Sequence, residues 1–531
     1  MTLIKSGTII DGTGKPAFIG DILVDGDRIK EICPSTVHLH LKPSPDDEVV
    51  DASGLIVSPG FIDAHTHSDA YLVIEPDAPS KISQGITTEL NGQCGGSIAP
   101  RYGEARLSSD WAAILGPRLT WRSLAEYREV LSAAKPAVNT VQFIGHNTLR
   151  SSVVGYAGRA ATADEQKEME RLLAQALDEG GWGLTTGLIY QPGKYSTPEE
   201  VIALAKVAAA KGGSYATHMR SEGDRILESI DEVIELVKAT GIRAEISHLK
   251  TSGRKNWNKI DAVLEKIEGA MKDGLLLGSD RYPYCAAGTD LDVVLPDWAQ
   301  EGGAPAELER LEVEGLRLKI IDEINSSDRD WSEVMIGGTW AAENKRFSGK
   351  TVAEILSSFS SLFPLPSSLT PGELITSILL ADGCKTGAFF FGMSEENLDK
   401  IYSRPWIVPG SDASLRAPWG PLGKDHPHPR AYATMPEFYR RVLALGVSRE
   451  ETVARMTSVI ADRFGIKGRG RIEKGAFADI VVWDEAAFKA KATFTDPHQF
   501  TDGVRCVMTN GVISYRDGKF TGNRGGRFLE R

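Results

Sequence analysis

Residues 58–69 read SPGFIDAHTHSD. An apolar run leads into two histidines, His65 and His67, that stand two positions apart. Alternate side chains of an extended strand share a face, so both imidazoles project the same way. The apolar residues before them place the pair at the strand's C-terminal end. The same device recurs downstream. GITTELNGQC ends at Cys94, GSYATH ends at His218, IRAEISHLK carries His248, and WIVPGSDAS carries Asp412. Four histidines thus come to one rim from three strands, with a carboxylate beside them.

The stretches between these runs read as helices. ADEQKEMERLLAQALDEG and RILESIDEVIELVKATG follow the 3.6-residue period. In TPEEVIALAKVAAAKG, Thr197 is an N-cap, Pro198 opens the first turn and Gly212 is a stop. Cys94 follows His67, His248 follows His218, and Asp280 follows His248 at spacings of roughly 30 residues, one strand–helix unit each. Continuous apolar strands alternating with helices predict an α/β fold with a parallel sheet. The best architecture is a (β/α)8 TIM barrel over residues 57–464. Its active site would lie at the C-terminal strand ends. Residues 300–400 read as a mostly helical insertion or lid, and SSFSSLFPLPSSLTPGE reads as a loop.

The ends of the chain read differently. AFIGDILVDGDRIKEI alternates apolar and polar residues around a DG turn. VRCVMTNGVISYRDGKF repeats the pattern with Asn510-Gly511 and Asp517-Gly518 as turns. ADIVVWD is another short strand. Residues 1–56 and 465–531 are expected to pair into one small β-sandwich domain. Two unrelated edge hairpins are the alternative.

Composition narrows the function. The chain has 531 residues, 41% hydrophobic and 25% charged, with a net charge of −12 and no basic tract. That disfavours nucleic acid and anionic membranes as partners. No apolar run is long enough for a membrane span, and the N-terminus lacks a signal-peptide pattern. Five scattered cysteines do not form a disulfide framework, so a cytoplasmic protein is expected.

One HxH pair alone is weak, but with two strand-terminal histidines and a strand-terminal Asp it indicates a metal site. Imidazole suits zinc. Asp412 is a ligand or a base. Cys94 would end the second strand of the series. It is either a thiolate ligand, able to bridge two ions, or a small buried residue under a glycine turn.

With these residues in hand, the chain resembles the amidohydrolase superfamily, and within it the zinc-dependent N-acyl-D-amino-acid deacylases, or D-aminoacylases. The matching stretches include SPGFIDAHTHSD, GITTELNGQCGGSIAP, GLTTGLIYQPG, YATHMRSE, ISHLK, DRYPYCAAGT, GSDAS, HPHPR and GRGRIEKGAFADIVVWD. They span nearly the whole chain. The resemblance implies a distorted (β/α)8 barrel with a small β-domain built from both termini. It implies a tight zinc held by Cys94, His218 and His248, and a second, weaker or empty position formed by His65, His67 and Asp412. GWGLTTGL offers no lysine for the carbamylated bridge of many relatives, which leaves Cys94 as the alternative.

By the same resemblance Asp412 is the general base and acid. Tyr190, Lys250, Tyr282 and Arg430 bind a small-molecule N-acyl amino acid, with Arg430 on its α-carboxylate. For Tyr190 and Tyr282, core packing is the competing role. The D configuration is implied by the family alone. Cyclic-amide hydrolases of the dihydroorotase or hydantoinase type and dipeptidases share the fold and the HxH. A metal-free assembly scaffold would have lost ligands. The chain is expected to be a monomer or small homo-oligomer.

The segment 413–429 departs from the compact family pattern and adds Arg416, Trp419, Lys424, His426 and His428. These either reshape the pocket mouth or form a solvated loop. Arg220 and Arg281 add positive charge, which would favour an acidic substrate side chain. His146 ends VQFIGH, and the resemblance gives it no metal role.

Overall fold

The computed structural model describes residues 1–35, 47–107, 112, 114–362 and 369–531. Part of the Ser-rich stretch expected as a loop lies outside them. Its start instead belongs to the helix Val352–Leu362, and its end to the helix Pro371–Asp382.

Both chain ends enter one nine-stranded sheet. Phe18–Asp25 pairs antiparallel with Arg28–Pro34, the DG hairpin read from sequence. At the other end Val504–Thr509 pairs with Val512–Arg516, turning at Asn510 (φ 49°) and Gly511 (φ 78°). Two consecutive left-handed residues match the right-handed twist of a hairpin. The halves join where Ile56–Pro59 pairs antiparallel with Ile480–Trp483. Ile4, Ile22, Val57, Val482 and Met508 bury its core. The sheet is a single unit, not two edge hairpins, and two of its pairings are parallel.

Among the described residues, nine short parallel strands carry the site. They are β1 (Phe61–Asp63), β2 (Ile86–Asn91), β3 (Asn139–Gln142), β4 (Ile144–Gly145), β5 (Gly183–Gly187), β6 (Ser214–His218), β7 (Ala244–Ile246), β8 (Leu277–Arg281) and β9 (Ile407–Pro409). They form two sheets, in the orders β1-β2-β3 and β9-β8-β7-β6-β5-β4. Hydrogen bonds join the sheets at both edges. On one side β3 runs through Phe143 into β4, and Trp182 N, just before β5, donates to Gln142 O at 2.8 Å. On the other, Ala64 N donates to Pro409 O at 3.2 Å and Asp412 N to His65 O at 2.9 Å.

The helices follow their sequence signals. Thr197 caps Pro198–Ala210 through the Glu200 N–H, and Gly212 lies just beyond the end. Ala163–Asp178 opens with a reciprocal Thr162–Glu165 capping box and buries Met169, Leu172, Leu173 and Leu177. Among the described residues no helix is long and apolar enough to cross a membrane.

The insertion differs from its expected character. It holds an antiparallel sheet of Ala287–Asp290, Gly387–Phe390 and Val334–Ile336 among its helices, with a core of its own around Leu291, Ile336, Ile375 and Leu379. These strands are three or four residues long and two contain a glycine, so no alternation was legible in them.

Candidate metal and substrate site

The glycines around Cys94 have a steric cause. A Cβ on Gly95 would strike the Asn147 amide and the Gly187 backbone, and a Cβ on Gly187 would strike the Cys94 carbonyl. The turn after β2 therefore lies backbone to backbone against the end of β5. Cys94 itself is left-handed, at φ 51°. His248 (φ 36°) and Asp412 (φ 49°), which follow β7 and β9, share that conformation. It costs a non-glycine residue about 1–3 kcal/mol, and such strain concentrates at functional sites.

The side chains converge. Cys94 Sγ lies 3.3 Å from His65 Nε2 and 3.3 Å from His248 Nε2. Asp412 Oδ1 lies 3.1 Å from His67 Nε2 and 3.5 Å from His65 Nε2. Two donor groups result, His65–His67–Cys94–Asp412 and Cys94–His218–His248, each with its ligand atoms within 4.8 Å of one another. Cys94 is common to both. Ligands of one tetrahedral zinc stand about 3.5 Å apart, given bonds of 2.0–2.3 Å. His218 is buried, yet neither ring nitrogen has a hydrogen-bond partner. A buried imidazole with neither nitrogen hydrogen-bonded is suited to be a metal ligand.

The electrostatics match that donor set. Burial alone would raise the Cys94 thiol, but the His65 and His248 imidazoles pull it well below its ordinary value. Burial likewise opposes ionisation of Asp412, and Arg430 and His248 override it, so its carboxyl stays well below the usual range. Both groups are held as anions.

Two further residues brace these donor groups. Asp280 accepts from the His248 N–H at 3.0 Å with one oxygen and meets His65 Nδ1 at 3.2 Å with the other. Glu222 Oε1 accepts from Lys250 Nζ at 2.5 Å and lies 2.9 Å from His248 Nδ1, while its Oε2 lies 3.6 Å from His218 Nε2. Sequence reading gave neither a role. Asp280 kept the spacing of the series, which was a usable signal. Glu222 stands four residues after His218, in the loop before the helix Ile226–Thr240.

A cavity of about 1050 Å³ opens over the cluster. Tyr190, His218, His248, Lys250, Tyr282 and Asp412 line it. His65, His67, Cys94 and Arg430 are not part of its wall. The Arg430 guanidinium reaches Asp412 Oδ2 at 2.8 Å and the Gly288 carbonyl at 3.3 Å, and stacks 4.5 Å from the Tyr282 ring centre. Arg430 Nε and the Tyr282 hydroxyl are buried without protein partners. Burial would raise the Tyr282 phenol, but Lys250, Arg281 and Arg430 lower it. Burial, with Cys94 and Asp412, holds the Tyr190 phenol well above its ordinary value.

The other expectations sort differently. Arg281 is buried, donating to Tyr284 O and stacking on Tyr282. Arg220 lines the cavity but is clamped by Glu232 at 2.9 Å. Arg220 is therefore not a free arm for an acidic side chain, while Arg281, whose Nε and Nη1 have no hydrogen-bond partner, does not line the cavity. In the 413–429 segment, His428 is buried and accepts from the Arg430 N–H at 3.0 Å, which sets the start of the helix Arg430–Ala444. His426 meets Phe494 O, Arg416 pairs with Asp425, and Trp419 donates to Glu75. None of these four lines the cavity. His146 pairs with buried Glu200 at 2.8 Å, away from the donor groups.

Comparison with known proteins is consistent with this architecture. The amidohydrolase family profile matches residues 48–345 and 396–515. The chain is 33% identical over 539 residues to a D-aminoacylase of Alcaligenes xylosoxydans xylosoxydans, covering 100% of this chain and 97% of that protein. It is 32% identical over 533 residues to an N-acyl-D-glutamate deacylase of the same organism, covering 100% and 96%. Among solved structures, the N-acyl-D-glutamate deacylase of Bordetella bronchiseptica superposes with a TM-score of 0.82 at 30% identity, over 100% of this chain and 99% of that one. That protein was crystallised with zinc and a phosphonate mimic of the tetrahedral intermediate.

Proposed function

The chain belongs to the amidohydrolase family, and on that premise we propose that it is a zinc-dependent deacylase that hydrolyses N-acyl-D-amino acids to a carboxylate and a free D-amino acid. One observation carries the reading. A thiolate shared by two imidazole-rich donor groups lies beneath a cavity lined by Tyr190, Lys250 and Tyr282, and the Tyr282 ring, its hydroxyl buried without a partner, stacks 4.5 Å from the Arg430 guanidinium behind it.

Cys94, His218 and His248 would hold the tight ion, with His65, His67 and Asp412 offering a second position. A bound zinc ion supplies Lewis acidity and makes water a nucleophile near neutral pH. The chain's own residues do the rest. Arg430, Tyr282 and Lys250 grip the α-carboxylate, and a guanidinium suits that planar anion. Because Arg430 now holds Asp412, an incoming carboxylate draws part of that contact away. Asp412, kept ionised, takes the proton of the attacking water and delivers it to the leaving nitrogen, which departs as an amine. Tyr190, kept protonated, donates to the developing oxyanion. With acyl group, carboxylate and reacting carbonyl each fixed, one α-carbon configuration places its side chain in open space.

The test is amine release from paired N-acetyl-D- and N-acetyl-L-amino acids with zinc supplied. Hydrolysis of the D forms alone is expected. Release from neither form, with zinc bound, would contradict the reading. Asp412→Asn should lower kcat by about 10²–10⁴-fold, the usual worth of a general acid–base group. Full activity of that variant would remove its proton-transfer role.

A further inference from the structure

The outer part of the cavity carries charges that the reaction does not use. The strand Ala287–Asp290 begins at the reacting end, where the Gly288 carbonyl accepts from Arg430. It leads outward into the short turn Leu291–Val294, which holds Asp292. Gly288 and Asp292 are at most about 14 Å apart along an extended chain. Across from Asp292 stands Glu307, on the helix Ala304–Glu312. Both carboxyls line the same cavity as Lys250, Tyr282 and Asp412.

Glu307 is only 4% exposed, and its Oε2 is buried with no hydrogen-bond partner. Among the described residues, neither carboxyl has a cation within ion-pair distance. Arg310, one turn beyond Glu307, gives its guanidinium to the Ala299 and Glu301 carbonyls instead. A buried carboxyl facing a half-buried one, with no counter-cation, is costly when both are ionised. Burial, then Glu307, pushes Asp292 up to about 8. Burial, aided by Asp290, pushes Glu307 up to about 7. Of the cations that line the inner cavity, Arg220 pairs with Glu232, and Lys250, which also meets Glu222, is assigned to the α-carboxylate. Arg225 and Arg329 are exposed, and Lys194 faces Asp297 at 3.9 Å.

Resting on the deacylase reading, we propose that Asp292 and Glu307 form a cation subsite for the substrate side chain, so that the substrate class is N-acyl-D-amino acids bearing an ammonium or guanidinium group. With the α-carboxylate at Arg430, a lysine or arginine side chain extends along Gly288–Asp290 toward the pair. Its charge supplies the counter-ion that the protein lacks there.

The experiment compares charged substrates with neutral isosteres on the zinc-loaded enzyme. The pairs are N-acetyl-D-arginine against N-acetyl-D-citrulline, and N-acetyl-D-lysine against N-acetyl-D-norleucine. The charged member should lead in kcat/KM by roughly 10- to 100-fold, the worth of charge-assisted hydrogen bonds. Asp292→Asn and Glu307→Gln, made separately, should each pull that ratio toward unity. The ratio cancels any general loss of activity, and Asp292→Asn suffices if the Glu307 variant does not fold. Ratios near one in the unmodified enzyme, or ratios unmoved by either substitution, would overturn the subsite and leave the deacylase standing. Failure to hydrolyse any N-acetyl-D-amino acid would overturn the deacylase reading and the subsite with it.

Discussion

Glu222 touches three groups at once. Its carboxylate meets Lys250 Nζ, His248 Nδ1 and, at longer range, His218 Nε2. Lys250 and its neighbours hold that carboxyl far below its ordinary value against the pull of burial. An anion behind two imidazoles orients them and raises their basicity toward a metal. Glu222→Gln should therefore weaken zinc binding by about 10- to 100-fold in chelator competition, with the fold intact by circular dichroism. Unchanged zinc affinity would reduce Glu222 to a partner of Lys250. The strand-end histidines were legible in the sequence because HxH and the apolar runs before His218 and His248 leave few other readings. Glu222 and Asp280 were not, because a lone carboxylate near a histidine reads as surface charge until the fold buries it.

Short elements hold the long loops in register. Lys81, on the helix Pro79–Ile82, is fully buried. It pairs with Asp63 at 2.9 Å and Glu89 at 3.0 Å, and donates to Ser411 Oγ and Ala413 O at 3.1 Å each. It therefore ties β1 and β2 to both neighbours of Asp412. Lys81→Met leaves two buried carboxylates facing apolar atoms. It should cost roughly 3–5 kcal/mol in urea denaturation, as broken buried pairs do. A loss under about 1 kcal/mol would show that water replaces the ammonium.

The insertion gives a second check. Asp292 and Glu307 ordinarily ionise near 3.8 and 4.5, but the fold holds them up to about 8 and about 7. As pH rises from about 4, the unfolded chain loses protons that the folded chain keeps, so stability falls until about pH 8 and then levels. Asp290 adds to this shift and Arg310 opposes it. Asp292→Asn should flatten the decline of Tm with pH across that window. An unchanged slope would mean that the pair is not protonated in the fold. Long helices such as Ala163–Asp178 were legible because caps and periodicity agree. The insertion sheet was not, because strands of three or four residues cannot display a period.

At the scale of the whole molecule, the terminal sheet and the parallel strands share a strap of chain. Ile56–Pro59 lies in the first and Phe61–Asp63 in the second, with Gly60 between them. A Cβ on Gly60 would strike the Thr87 side chain. Asp479 adds a cross-link, accepting from Asn510 N at 2.7 Å and from Asn139 Nδ2 at 3.2 Å, and pairing with Arg469. The His65–His67 segment is thus anchored by both chain ends, which explains why the terminal hairpins and the site motifs are spread over the full sequence. The paired ends were legible because their turns are Asn-Gly and Asp-Gly. How the parallel strands meet at Gln142–Trp182 and at Ala64–Pro409 was not, because those contacts are backbone hydrogen bonds that no side-chain pattern encodes.

The central claim is that a metal held at Cys94, His218 and His248 enables hydrolysis of N-acyl-D-amino acids. The direct measurement is a zinc titration of chelator-stripped protein, following bound metal and the hydrolysis of N-acetyl-D-methionine and its L enantiomer together. Stripped protein should show no rate, the rate for the D form should rise with the first equivalent bound, and Cys94→Ala should not take up that equivalent. Full activity without metal, or equal rates for both enantiomers, would contradict it.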